Sequence, residues 1–131
     1  MSEGIGARVL RKEDKRFITG KGRYTDDIIE PNQAYAAFVR SPHAHARIVS
    51  LDTSAALAME GVEAVLTGSE LVADGIGNII CGWGITSKDG TPMNMGAWSA
   101  LATEKVRYVG DAVAIVVADS KSQAKLAAEA V

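Results

Sequence analysis

Cysteine is almost absent from this chain, because Cys81 is the only one among 131 residues. A single thiol cannot close an internal disulfide, which fits a reducing compartment such as the cytoplasm. It also cannot supply the four thiolates that normally hold an iron–sulfur cluster, or a Cys-rich structural zinc site. We therefore expect a cytoplasmic protein that is held together by packing and ligates no cluster of its own.

The chain also lacks a strong net charge and any long apolar run. Its formal net charge is −2, whereas a nucleic-acid-binding domain normally has a clear basic excess. The N-terminus has no apolar region of the secretory type, and no run approaches the ~20 apolar residues that cross a bilayer. We expect neither a nucleic-acid partner nor a transmembrane segment. Hydrophobic residues form 47% of the chain, which suffices for the core of one small domain.

The hydrophobic pattern divides the chain after residue 33. Residues 1–33 are polar and rich in turn-forming residues, which predicts an extended N-terminal arm with short pairings at most. Hydrophobicity then alternates with a period of two over residues 34–40, which predicts a strand, and residues 43–51 and 62–66 are also predicted to be extended. The domain is therefore expected to comprise residues 34–131.

Capping residues predict two short helices between these strands. Asp52, Thr53 and Ser54 are all suitable N-caps for a helix that Gly61 then ends. Thr67 is followed three residues later by a glutamate, which is the spacing of a capping box and predicts a second helix.

Residues 74–102 have the least regular sequence. Six glycines and one proline make a sustained helix or strand unfavourable there, so we predict a long loop. Both tryptophans, Trp83 and Trp98, lie in it. We expect them to pack against the core or against a surface that this chain does not contain.

The C-terminal third has the clearest pattern. Its pattern predicts a β-hairpin with a type II′ turn, in which Gly110 and Asp111 join the strands 105–109 and 112–118. The second strand is apolar throughout, which indicates burial on both faces. Asp119 or Ser120 is then a suitable N-cap for a helix whose apolar stripe includes Val131, and Ser120 has the capping-box spacing to Gln123. An apolar stripe that runs to the last residue predicts a domain truncated at its C-terminal end.

Both histidines lie in the stretch "RSPHAHAR", residues 40–47. On a strand, side chains at i and i+2 share a face about 7 Å apart, so His43 and His45 raise the hypothesis of a metal site or an acid/base pair. No third ligand or nucleophile motif lies nearby in the sequence. We interpret Arg40, His43, His45 and Arg47 as a candidate contact with another domain or subunit, and assign no catalytic, cofactor-binding or metal-ligating residue.

Three segments then identify a family resemblance. They are "RKEDKRFITGKGRYTDDI" (11–28), "AFVRSPHAHARIVSLDTSAALAMEGVEAVLTGSEL" (37–71) and "EKVRYVGDAVAIVVADSKSQAKLAAEAV" (104–131). In this order they resemble the N-terminal α/β hammerhead domain of molybdenum hydroxylase large subunits, the xanthine dehydrogenase/aldehyde oxidase family. Within that family, the chain resembles the bacterial carbon monoxide dehydrogenase-type large chain in particular. The resemblance implies an α+β fold: a small mixed sheet with short helices, and a C-terminal β-hairpin followed by a helix.

The resemblance also implies where the chemistry of such an enzyme lies. In the family, a larger downstream region of the same subunit holds the molybdenum–molybdopterin cytosine dinucleotide and supplies the catalytic glutamate. Iron–sulfur clusters and FAD lie in partner subunits or domains, and the parent enzyme is expected to be a dimer of heterotrimers. This chain is then a structural and assembly domain of an oxidoreductase that oxidises carbon monoxide, aldehydes, purines or N-heterocycles, and it is expected to be inactive in isolation.

Two other functions remain open from the residues alone. One is a free-standing binding module that binds a protein partner with the 74–102 loop. The other is a small metalloenzyme that uses His43 and His45. The substrate of the parent enzyme is not specified by these residues.

Overall fold

A computed structural model describes residues 4–6 and 8–131. The chain divides into two compact units, one ending at Gln33 and one spanning Ala34–Val131. In the first unit, helix α1 spans Asp14–Ile18 and a single 3-10 turn spans Thr25–Asp27. The turn-rich sequence predicted short pairings at most, whereas the described part of this unit forms two helical turns and no strand. The assignment of residues 1–33 as an arm and 34–131 as the domain stays a prediction.

The second unit contains five strands and three helices. The strands are β1 (Tyr35–Arg40), β2 (Ala46–Arg47), β3 (Val62–Thr67), β4 (Lys105–Val106) and β5 (Ala112–Ala118). The helices are α2 (Ser54–Leu57), α3 (Gly68–Ala73) and α4 (Lys121–Ala128). A three-stranded sheet has the order β1-β5-β3, and β2 pairs with β4 in a separate ribbon.

Strand β5 is the centre of the three-stranded sheet. It pairs with β1 along one edge and with β3 along the other. Ala114, Val116 and Ala118 are fully buried. The continuous apolar run therefore forms the central strand of the sheet. Its predicted burial on both faces is not seen within this chain, since Ile115 and Val117 on the other face are only half-buried.

Two details of the predicted fold are wrong. The sheets in the described part of the chain are antiparallel rather than mixed. The predicted C-terminal hairpin does not form, because both edges of β5 are taken by β1 and β3 while β4 pairs with β2. The intervening turn is closed by the Asp111 amide, which donates to the Tyr108 carbonyl at 3.2 Å. Gly110, with φ 91°, occupies the third position of this turn, where type II rather than type II′ turns place glycine.

The predicted caps of α3 and α4 form as the sequence indicated, whereas the N-cap of α2, Thr53, makes no side-chain cap hydrogen bond. The Thr67 amide donates to the Glu70 carboxylate at 2.7 Å and the Thr67 hydroxyl accepts from the Glu70 amide at 3.5 Å, which completes the capping box of α3. The Ser120 hydroxyl accepts from the Gln123 amide at 3.3 Å at the start of α4. Just before α2, the Asp52 carboxylate accepts from the Ser54 amide at 2.9 Å.

The core lies on one face of the three-stranded sheet. Its main cluster joins the sheet to α2 and α4 and consists of Ala56, Val65, Ala114, Val116 and Ala127. A second cluster, Ala102, Val106 and Val113, connects the sheet to the β2–β4 ribbon. Val116 is the largest fully buried side chain. The helices approach the sheet closely because alanines occupy the contact positions.

Candidate functional site

The stretch 40–47 was predicted to be a polar strip on one strand, and the structure divides it between two elements. Arg40 ends β1, and its Nη1 donates to the Gly110 carbonyl at 2.9 Å. Its guanidinium carbon also lies 5.3 Å from the centre of the Phe38 ring, within the range of a cation–π contact. Arg40 is thus committed to contacts within its own unit.

Ser41 fixes the chain that follows Arg40, and the sequence did not single it out. Its amide donates to the Asp111 carbonyl at 2.9 Å, and its carbonyl accepts from the Gly110 amide at 2.8 Å. Its hydroxyl accepts from the His43 amide at 3.1 Å. Ser41 is 8% exposed, the one buried polar residue among those described. The Ser-Pro pair indicates a turn locally. The turn that Ser41 contacts lies about seventy residues away, so residues next to Ser41 could not reveal the contact.

His43 and His45 were predicted on a strand face, and this prediction is wrong. They lie in bends between β1 and β2, and β2 contains only Ala46 and Arg47. His43, His45 and Arg47 are exposed. Within the described ranges, their side chains make no hydrogen bond or ion pair, so their donors are available to another surface. Their role in a contact stays a prediction.

The two histidines do not converge with other ligands. Among residues 4–6 and 8–131, no three His, Cys, Asp or Glu side chains lie close enough to share a metal ion. Cys81 is exposed and lies in the 74–102 loop. The described residues therefore do not fit a metal or cluster site, and we derive no chemical step through one.

The 74–102 loop lacks regular helix and strand, as predicted, apart from one bridge between Thr86 and Pro92. Around this bridge the Ser87 amide donates to the Thr91 carbonyl at 2.8 Å, and the Ile79 amide donates to the Trp98 carbonyl at 2.7 Å. These bonds give the loop a defined path across the surface.

Most large apolar side chains of this loop face solvent, whereas Leu101 near its end is buried, with 2% exposure. Trp83 is 80% exposed and Trp98 58% exposed, so the expectation that they pack into this chain's own core is wrong. Trp98 makes one ring contact, with Tyr108 at 6.0 Å between centroids, beside a cavity of about 100 Å³. The other exposed apolar residues of the loop are Ile76, Ile79, Ile80, Ile85 and Met95. The remaining expectation, a covering surface outside the chain, stays a prediction.

Fold and surface together define a class of protein: a small α+β domain with an alanine-rich core and large apolar side chains left outside it. The family model "Aldehyde oxidase and xanthine dehydrogenase, a/b hammerhead domain" matches residues 19–131. The chain belongs to this family, which confirms the resemblance and the fold class.

Sequence and structure comparisons agree with this assignment. The chain is 43% identical to the nicotine 6-hydroxylase large subunit of Paenarthrobacter nicotinovorans, over 97% of this chain and 15% of that protein. The structure of quinoline 2-oxidoreductase from Pseudomonas putida 86 matches with a TM-score of 0.81 and 38% identity, over 96% of this chain and 15% of that one. The structure of the Cu,Mo-CO dehydrogenase matches with a TM-score of 0.72 and 40% identity, over 96% and 14%.

The chain spans about one seventh of the length of the relatives it matches. The relatives include a nicotine 6-hydroxylase large subunit, a carbon monoxide dehydrogenase large chain and a xanthine dehydrogenase molybdenum-binding subunit, so their activities belong to much longer polypeptides. In the part of the chain that the structure describes, no helix combines the length and apolarity needed to cross a bilayer.

Proposed function

We propose that this chain is a structural and assembly domain within the large subunit of a molybdenum-dependent oxidoreductase, with no chemistry of its own. The observation that supports this most is the exposed apolar surface of the 74–102 loop, headed by Trp83 and Trp98. Exposed apolar surface of this kind marks sites that other polypeptide covers. The same region is a small part of a long subunit in each relative described above.

The proposal includes the parent enzyme. It oxidises carbon monoxide, an aldehyde, or a purine or other N-heterocycle, which are the substrate classes of the family. We assign the molybdenum–molybdopterin cytosine dinucleotide to the downstream region of the same subunit, and iron–sulfur clusters and FAD to partner subunits or domains. We infer a dimer of heterotrimers, and a cytoplasmic location that the single cysteine supports.

Within this proposal, the stretch 40–47 contributes to assembly. His45 and Arg47 are the better candidates for a contact with the molybdenum-binding region or the iron–sulfur subunit, since their side chains have no partner in the described unit. Arg40 contributes to assembly only indirectly, because its guanidinium donates a hydrogen bond to the Gly110 carbonyl within the same unit. His43 is exposed but tied by its amide to Ser41.

The test is a double substitution, His45→Ala with Arg47→Ala, in the full-length enzyme. We expect a smaller fraction of assembled complex by size-exclusion chromatography, and unchanged turnover per bound molybdenum. Lys125→Ala, an exposed lysine of α4, is the matched control and should assemble normally. Normal assembly with reduced turnover per molybdenum would show that these residues serve the chemistry instead.

The inactivity of the chain by itself is tested separately. The purified 131-residue chain should contain no stoichiometric molybdenum, zinc, copper or iron by elemental analysis, and should oxidise none of the three substrate classes. Stoichiometric metal that disappears on His43→Ala and His45→Ala substitution would instead favour the metalloenzyme. A free-standing binding module gains no support from the comparisons, since relatives contain this region inside a far longer chain.

A further inference from the structure

The three-stranded sheet has one face that its helices do not cover. Strand register places two rows of side chains there: Phe38, Ile115 and Leu66 in one row, and Ala36, Val117 and Ala64 in the other. We call these six residues the open face. Their neighbours Val65, Ala114 and Val116 point to the opposite face, where they pack with α2 and α4.

Exposure differs sharply between the two faces. Ala114 and Val116 on the covered face are fully buried. On the open face Phe38 is 50% exposed, Ala36 is exposed, and Ile115, Val117, Leu66 and Ala64 are half-buried. All six residues are apolar, although an antiparallel sheet with one solvated face normally has polar side chains on it. The open face thus has the composition of a buried surface.

The position of the open face determines how a partner would cover it. The register shifts of the sheet lie in its inner ladders: β5 has an extra residue between the partners of Val39 and Arg40, and β3 has one between Val62 and Ala64. A strand added at an edge would extend the sheet without covering the side chains on its face. A partner that buries the open face therefore has to lie across it. Arg40, which follows Phe38 on the same side of β1, donates to the Gly110 carbonyl.

We propose that the open face is covered by an apolar segment of the same large subunit, from the part of the polypeptide outside the region that this chain represents. This inference rests on the proposed function. The matching region is 15% of the quinoline 2-oxidoreductase chain, so most of such a subunit is available as the occupant. A segment on the same polypeptide has an effective concentration on the order of millimolar, which favours it over a separate molecule.

Thiol labelling of the full-length large subunit tests the proposal. Phe38→Cys places a thiol on the open face, and Leu57→Cys places one on α2, away from that face, at a position whose native side chain is 49% exposed against 50% for Phe38. Both are made with Cys81→Ser, and the label is located by peptide mass spectrometry. We expect Phe38→Cys to react with a maleimide at least tenfold more slowly than Leu57→Cys, and both to react equally after denaturation.

The alternatives give different results. Equal rates at the two positions in the folded subunit would show an open face and overturn the proposal. Protection that appears only with the other subunits, or only at high protein concentration, would assign the face to another subunit or to a second copy, and would also overturn it. Ala36→Cys, at an exposed alanine of the same face, repeats the test if Phe38→Cys fails to fold. These outcomes are independent of turnover per molybdenum and of the His45/Arg47 assembly result.

Discussion

The sheet core and the 74–102 loop distribute apolar side chains in opposite ways. The core is built mainly from alanine and valine, and its largest fully buried side chain is Val116. The loop holds two tryptophans and several isoleucines, and most of their surface faces solvent. A free-standing domain gains most by burying its largest apolar residues. The inverted distribution places the largest apolar side chains of this unit outside its core, as expected if another polypeptide covers them.

The largest effect should come from a charge placed in the core. Val116→Asp introduces an unpaired carboxylate at a fully buried position, which costs about 3 kcal/mol or more and should abolish the cooperative unfolding transition. Val49→Asp, at a position 95% exposed, is the matched control and should unfold nearly as the unchanged protein does. Circular dichroism during thermal unfolding measures both. A similar transition in the two variants would contradict the assignment of the core.

A smaller effect should come from Gly68, at the start of α3. A Cβ at this position would lie 2.6 Å from the Ala102 carbonyl oxygen and 2.9 Å from that of Leu101, and backbone atoms cannot move aside cheaply. We expect Gly68→Ala to cost about 1–3 kcal/mol in the free energy of unfolding, measured by urea titration. Gly77→Ala meets no atom within 4 Å, so it should be tolerated. Equal midpoints would mean that the backbone of Leu101 and Ala102 approaches α3 less closely.

Removal of a loop tryptophan should change stability far less. Trp83→Ser removes a side chain that is 80% exposed, so the free energy of unfolding of the 131-residue chain should change by no more than about 0.5 kcal/mol. The same variant should bind less of a hydrophobic dye in its folded state, because the exposed apolar area shrinks. A loss of stability comparable to that of Gly68→Ala would show that Trp83 belongs to the core.

The smallest effect concerns the turn at Asp52, just before α2. The Ser54 hydroxyl and amide both donate to the Asp52 carboxylate and hold its pKa below the usual 3.8. Because the folded pKa is lowered, this contribution to stability is present above that value and is lost as the pH falls through the folded pKa. Ser54→Ala should raise the Asp52 pKa, as measured by NMR titration. Asp89, whose pKa is lowered by Thr91, should not move; a shift at both sites would indicate a general rather than a local change.

Local patterns predicted the local structure well. The alternation in β1, the apolar run of β5 and the caps at Thr67 and Ser120 depend on neighbouring residues, and each formed as expected. The predicted hairpin is wrong because the residues of the Gly110–Asp111 turn contain no information on which distant strands pair with β5, and these are β1 and β3. The strand predicted through His43 and His45 failed for the same reason, since only Ala46 and Arg47 have a partner strand.

The candidate contact surfaces were predicted less completely. The sequence identified Arg40, His43, His45 and Arg47 by type, but not that Arg40 is bonded to Gly110 or that Ser41 anchors the segment. Those contacts join residues 70 positions apart, a distance over which no short pattern operates. The open face was also hidden in the sequence, because Phe38 and Leu66 become neighbours of Ile115 only through strand register.

The position of β5 between β1 and β3 has a consequence for synthesis on the ribosome. The middle strand of the sheet is the last of the three to be translated, so β1 and β3 emerge without the partner they share. Ladder formation must wait for about seventy further residues after β1 and then close long loops, which slows folding. During that interval the nascent chain exposes two unpaired strands and the large side chains of the loop, which are the features that make a folding intermediate prone to aggregation.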